Sequence, residues 1–407
     1  MSAPLEGIRV VEAGNWVAAP STGALMADLG ADVIKVEPLK GDVMRNMFRP
    51  GRSPHNQNPI DAPFHVDNRG KRSIAVDLEQ PKGAAKVRDI IATSQVFITN
   101  LLPARQQRFG LDPDTILETN SRVVHATLTG YGTTGPDANR PGFDVTAFFG
   151  RGAVIDTMTD PGQVAPYSRP GQGDHVTGLA LFGAVLAALR LVDTTGTGQV
   201  VEVNLFGTAA WTMATDLSSV LVDMREPTKV DRFHRNSALS NRYQTSDGRW
   251  LFVNMPDAAW WSRFCTAIGA DALINDHRFD TSKTRHDNME ELVGLLDGII
   301  FLHPLDHWSE VLDEHRLIWG PASTLTELAG DPQAEAIGMF PTITADNETI
   351  RTVAAPFRIK DVDVRPRGPG PNIGEHTIEV LDSIGVSHDE IETLVSSQVV
   401  GVPRKST

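Results

Sequence analysis

The stretch "GIRVVEAGNWVAAPSTGALMADLGADVIKVEP" (7–38) decides the fold. Its opening, "GIRVVEAG" (7–14), is rich in β-branched residues and reads as a strand; "STGALMADLG" (21–30) reads as a helix closed by Gly30, and "ADVIKVEP" (31–38) as a second strand. Strand, crossover helix and strand make a βαβ unit. The alternation continues with strand "RSIAVDL" (72–78), helix "PKGAAKVRDIIATS" (81–94), strand "QVFITN" (95–100), a helix around 113–119 and strand "RVVHATLTGYG" (122–132). It predicts an α/β fold with an open, mostly parallel sheet covered by helices on both faces. The first turn, "GNWVAAPSTG", lacks the G-x-G-x-x-G spacing that lets backbone approach a pyrophosphate. Glu37 stands where a dinucleotide site carries its ribose-binding acid, but without those glycines a plain turn followed by a surface glutamate is the simpler reading.

Residues 39–67 read as an irregular excursion rich in Pro, Asn and Arg, the kind of long loop that is usually functional. From about 225 the texture changes. "NRYQTSDGRWLFVNM" (241–255) reads as a hairpin about Asp247-Gly248, followed by amphipathic helices near 257–268, 287–301, 305–315 and 323–329, which predicts a smaller α+β domain. The tail 355–385 reads as a strand, a Pro/Gly-rich crossing and a final helix.

Composition narrows the function classes. A formal net charge of −14 argues against a nucleic-acid binder, which needs a basic surface to displace counterions. The single cysteine, Cys265, cannot form an internal disulfide and fits a reducing compartment, read as the cytoplasm. The N-terminus shows no basic segment leading into an apolar stretch and cleavage site. The most apolar run, Val176 to Val192, falls short of the roughly 20 residues a bilayer span needs and reads as a buried core helix.

Several motifs stand at predicted strand ends, where open α/β sheets bind ligands. "DNRGKRS" (67–73) clusters Arg69, Lys71 and Arg72, which read either as phosphate contacts or as a solvated strand entry. In "NLLPARQQRFGLD" (100–112), Asn100 ends a strand, while Arg105 and Arg108 taken alone read as helix-surface charges. "LTGYGTTGPDANRPGFD" (128–144) is a glycine-rich loop suited to close backbone approach. His303 and His307 have i,i+4 spacing, but Pro304 between them spoils the helix face and no metal is expected. The absence of a G-x-S-x-G elbow removes the simplest hydrolase reading. In "SRPGQGDHVTGLALFGAVLAALRLV" (168–192), Asp174 precedes the apolar helix. Asp is a strong N-cap residue, which by itself explains its position. Gly171 and Gly173 would let a large ligand approach, and the helix dipole would keep Asp174 ionised as a nucleophile must be. Cap and nucleophile are compatible readings.

In order and spacing, "PLEGIRVVE", "LMADLGADVIKVEP", "GD" (41–42), "NRGKRSIAVDL", "LLPARQQRFGLD", "TGYGTTGP", "GFDVTAFFGRGA", "GQGDHVTG", "TTGTGQVVEVNL", "DGRW" and "GPGPNIGEHTIEVL" closely resemble the class III CoA-transferase family nearly end to end. The resemblance implies a Rossmann-like large domain built from both termini (1–215 and 325–407), a small domain (225–320) inserted between linkers, and an interlocked ring-like homodimer with its active site between one subunit's large domain and the other's small domain. It implies transfer of CoA from an acyl-CoA thioester to a free carboxylic acid, through a mixed anhydride and an aspartyl-CoA thioester on Asp174, with no metal and no permanently bound cofactor. CoA contacts carried over by motif are Trp16, Val17, Val76, Asn100, Leu101, Arg108, Phe109 and Tyr131, with Gly171 and Gly173 walling the nucleophile. One branch of the family has basic residues near Glu37 and at position 79, where this chain has Pro38 and Glu79, so Lys71 or Arg72 is expected to serve the nucleotide phosphate instead. The α-methylacyl-CoA racemases share the fold but pair the aspartate with a Gly-His-Asp histidine. Here that triplet is Gly142-Phe143-Asp144, and phenylalanine cannot take a proton. "VNMPDAAW" (253–260) also lacks the racemase glutamate. A CoA-binding scaffold without activity is the non-enzymatic alternative.

Overall fold

A computed structural model describes residues 3–45, 47, 60–255, 259–345 and 347–403. Most of the excursion between 46 and 59, and residues 256–258 of the segment compared with the racemase glutamate, lie outside the described residues. The chain divides into two compact units, 1–156 with 166–224 and 332–407, and 157–165 with 225–331.

In the first unit, β1 (Arg9–Ala13), β2 (Asp32–Glu37), β3 (Arg72–Val76), β4 (Val96–Thr99), β5 (Val124–Thr129) and β6 (Gln199–Asn204) form a parallel sheet. The expected strands from 7 to 132 are all present, and β6 extends them. Further on come β7 (Ser240–Gln244), β8 (Trp250–Asn254), β9 (Trp319–Pro321), β10 (Thr342–Ala345), β11 (Glu348–Arg351) and β12 (Val400–Gly401). The last of these adds antiparallel to β3, giving the order β12-β3-β2-β1-β4-β5-β6. The sheet is therefore completed by residues from the far end of the chain.

Period-two alternation sends the strand residues to two separate cores. Val11, Ile34, Ile74 and Phe97 pack on one face with Val87, Ile90, Ile91, Val380 and Leu381. Val10, Val33, Val96 and Val124 pack on the other with Ala18, Met26, Leu181, Phe182 and Val185. The helix Ala18–Asp28 is buried at every position, which its small residues permit. A Cβ on Gly178 would come within 2.1 Å of Ser21 Oγ, so glycine there allows the helices Ala18–Asp28 and Gln172–Thr195 to cross closely.

Three local expectations are corrected. The excursion 39–67 contains the start of a helix, Ala62–Asn68. The segment from 355 is not a strand; Pro356 lacks an N–H to pair, and Phe357 instead stacks on Phe182 with ring centroids 5.4 Å apart. The helix Thr377–Ser383 is not the last element, since His388–Ser396 and β12 follow, and the hairpin β10–β11 was not anticipated. The helix Gln172–Thr195 has 24 residues, and by length and apolarity it could cross a membrane. Its Leu181, Phe182, Val185, Ala188 and Val192 are instead buried against the sheet.

The second unit has the antiparallel sheet β7-β8-β9, with the hairpin where the sequence placed it. Tyr243, Leu251, Phe264, Leu292, Leu296 and Trp308 lie in its core. The helix there begins at Leu305, and the His303 and His307 rings stack at 4.0 Å. Among the described residues no group of three or more His, Cys, Asp or Glu is placed to hold a metal ion.

Candidate active site

A cleft of about 350 Å³ opens beyond the carboxyl ends of β1 to β4, where the strand order reverses between β1 and β4. Ala13, Asn15, Val36, Val76, Leu78 and Leu101 contribute to its walls, and Lys40, Glu79 and Arg105 place charges on it. Val76 and Leu101, two of the expected CoA contacts, both line this cleft. Asn100 works one step behind: its amide donates to Asn15 O (2.7 Å) and its Oδ1 accepts from Asn15 N–H (3.2 Å), fixing the turn after β1.

The remaining expected contacts divide. Phe109 is a core residue beneath the cleft. Arg108 forms an ion pair with Glu79, while Arg105, read with it as a surface charge, lines the cleft and also faces Glu79 at 3.5 Å. Arg72 is not brought to the cleft. It begins β3 at the opposite end of the sheet, where its guanidinium is held by Asp32 (2.6 Å) and Glu379 (2.9 Å). Lys71 is sealed inside, donating to both Glu12 oxygens (2.9 and 2.8 Å) and to Pro20 O (2.8 Å). Burial, offset in part by Glu12, lowers its pKa to about 8. Neither residue is placed to serve a nucleotide phosphate. Lys40, two positions beyond Pro38, is a cation on the cleft that the sequence reading does not single out.

Glu37 is not a surface glutamate. It is buried, accepting from the Asp42 N–H (2.9 Å), from Arg45 (2.7 and 2.6 Å) and from Ser73 Oγ (2.5 Å). Asp42 Oδ1 in turn accepts from the N–H of Trp16 (3.2 Å), and Lys35 pairs with Asp42 (2.8 Å) and Glu12 (3.3 Å). This buried network fixes Trp16, whose φ of 69° is a left-handed conformation uncommon for a bulky residue. Val17 follows as the residue preceding the helix Ala18–Asp28.

From Trp16 contacts lead to the turn at Gly171 that starts the helix bearing Asp174. The Trp16 ring meets Phe143 edge-on at 5.0 Å. Phe143 precedes a π-helical segment, Asp144–Arg151, whose first residue is buried. Asp144 Oδ2 accepts the N–H of Gly171 at 2.7 Å and Oδ1 accepts that of Val145 at 2.7 Å. Tyr131 lies nearby with the Arg140 and Arg151 guanidiniums over its ring at 5.3 and 5.1 Å.

Asp174 itself is not the cap. The helix starts earlier, with Gly171 at the N-cap and Asp174 in the first turn. Gly171 has φ 95°, a left-handed turn that suits glycine. Gly173 does not open a wall to ligand: a Cβ there would lie 2.7 Å from the Phe148 ring, so glycine is required by packing. Among the described residues no hydrogen bond or ion pair engages the Asp174 carboxylate. It is partly buried, and burial, followed by the negative charges of Asp144 and Asp67, pushes its pKa up to about 7 although His175 acts in the opposite direction. The helix dipole, expected to keep this group ionised, is outweighed. A carboxylate without partners, poorly solvated and held at a helix start, is a reactive nucleophile when ionised.

The model of "CoA-transferase family III" matches residues 5–377 of this chain. Among similar proteins is an (R)-2-hydroxy-4-methylpentanoate CoA-transferase from Clostridioides difficile, 31% identical over 97% of this chain and 99% of its own length. A succinate–glutarate CoA-transferase from Agrobacterium fabrum is 30% identical over 93% of this chain and 95% of its own. A crystal structure of a CaiB/BaiF family protein from Brucella suis superposes with a TM-score of 0.83 at 29% identity, covering 94% of this chain and all of that one. The chain belongs to CoA-transferase family III, and the enzyme is a CoA-transferase.

Proposed function

We propose that this enzyme moves CoA from an acyl-CoA thioester to a free carboxylic acid with Asp174 as nucleophile. The observation that carries the reading is the partly buried Asp174 carboxylate, which among the described residues has no hydrogen-bond or ion-pair partner; a cleft at the strand ends, lined by Asn15 next to Trp16 in the chain, supports it. The carboxylate attacks the thioester carbonyl; the C–S bond breaks, leaving a mixed anhydride and CoA thiolate. The thiolate attacks the aspartyl carbonyl, expelling the donor acid and leaving an aspartyl-CoA thioester. The acceptor carboxylate then attacks that carbonyl, and the thiolate returns to the acceptor's acyl carbon, releasing Asp174. Every intermediate is open to hydrolysis, so exclusion of water preserves the thioester's free energy.

CoA lies in the cleft, its nucleotide phosphates served by Lys40 and Arg105, with Arg108 alongside. The racemase alternative is less well supported. Phe143 cannot take a proton, and both ring nitrogens of His175, beside Asp174, already face oxygen atoms. A homodimer belongs to the same reading: Trp211, Leu221 and Val222, 79%, 68% and 85% exposed in the single chain, are large apolar side chains that a partner would cover. So does a cytoplasmic location. Incubation with acyl-CoA followed by quenching and peptide mass spectrometry should give a covalent adduct on Asp174. Undiminished transfer by an Asp174→Ala variant would refute the mechanism.

A further inference from the structure

We propose that His175 is held as an imidazolium by Asp67 and by the Gly171 carbonyl, and that this fixed cation beside Asp174 favours the ionised form of its carboxylate against the surrounding burial and negative charge. The inference rests on the reading of Asp174 as nucleophile and assigns a positioning residue to it.

The argument begins with donors and acceptors. A neutral imidazole has one N–H and one lone-pair nitrogen; only the cation donates from both. His175 Nε2 lies 2.9 Å from Asp67 Oδ1, and Nδ1 lies 2.8 Å from Gly171 O. Against a carboxylate and a carbonyl, both of them acceptors, the ring makes both bonds only as a cation. The Gly171 carbonyl also accepts the helical N–H of His175 (2.9 Å), and its two lone pairs allow both bonds. The Asp67 side chain is buried, which leaves its charge little solvent to answer it.

A cation in the first turn of a helix stands against the helix dipole, so its presence there needs a specific support. Asp67, from the helix Ala62–Asn68, supplies it. The His175 side chain is half exposed, so what desolvation it suffers is moderate; the hydrogen bond and charge of Asp67, helped by Gly171 O and by Asp174, outweigh it and raise the His175 pKa. The charged groups acting on Asp174 are then Asp144, from the π-helical segment, and Asp67, both opposing its ionisation, and His175, favouring it. His175 is the one cation of the three. When Asp174 becomes an anhydride or thioester its charge is lost, and the imidazolium remains to favour its restoration.

The test measures the first-order rate of adduct formation on Asp174 from acyl-CoA by rapid quench between pH 5 and 9. His175→Gln is expected to move the acid-limb midpoint up by about one pH unit, so that well below it the rate falls about tenfold, while the alkaline plateau is kept. His175→Lys, which retains a cation, is expected to keep the midpoint near that of the wild type. In parallel, the 15N spectrum of histidine-labelled wild-type enzyme, with His175 assigned from whichever variant folds, should show both ring nitrogens protonated up to pH 8. A neutral ring at pH 7, or an unchanged midpoint in His175→Gln, overturns the inference. If wild-type enzyme forms no adduct at any pH, the nucleophile reading fails, and the 15N spectrum still decides whether the imidazolium exists.

Discussion

Replacing Asp174 by asparagine separates the cost of the site from its chemistry. An ordinary aspartate ionises near 3.8, whereas burial and the Asp144 charge push this one up to about 7. The folded protein therefore favours protonated Asp174. Its contribution to stability is fully present below pH 3.8 and is lost as pH rises through 7, so at pH 8 the ionised side chain is a destabilising group. The span from 3.8 to about 7 corresponds to about 4 kcal/mol, and discounting by half for the carboxylate's partial exposure leaves about 2 kcal/mol. Asparagine has nearly the same shape and no charge to desolvate. Asp174→Asn is therefore expected to be more stable than wild type at pH 8 by about 2 kcal/mol, or roughly 3 °C in Tm for a chain of this length, while losing transfer. Differential scanning fluorimetry at pH 4.5, 6 and 8, at constant ionic strength, should show the gap widening with pH. A gap that is constant across this range, or a variant less stable than wild type at pH 8, would refute the electrostatic account.

Two further outcomes address the cleft and the assembly. Lys40→Ala and Arg105→Ala should each raise KM for acyl-CoA several-fold with little change in kcat, as loss of a partly exposed phosphate contact does, and normal KM in both would remove the cleft assignment. If a partner covers the exposed Trp211, Leu221 and Val222, light scattering of the purified enzyme should report twice the chain mass; a monomer would remove the proposed homodimer.

The sheet was legible because its signal is local. Valine and isoleucine runs alternate with helical segments between 7 and 132, and each strand's two faces follow from period two. The hairpin about Asp247-Gly248 and the position of Asp174 at a helix start were legible for the same reason. Other elements were not. "APFRIK" has the composition of a strand, yet a proline and a ring stack on Phe182 take it elsewhere. Arg72 and Lys71 adjoin in sequence and look equally available to phosphate, but at the start of β3 the first is held by Asp32 and the second is buried against Glu12.

The sequence by itself thus determined the parallel α/β architecture, the second unit's hairpin and which carboxylate heads the long apolar helix, since each depends on residues within a turn or two of one another. Tertiary structure alone decided that Gly171 rather than Asp174 caps that helix, that Gly173 serves Phe148, and that His175 meets Asp67. Charge, desolvation and hydrogen bonding act through space, and the groups that set the state of Asp174 come from segments far apart in the chain, which no spacing along it records.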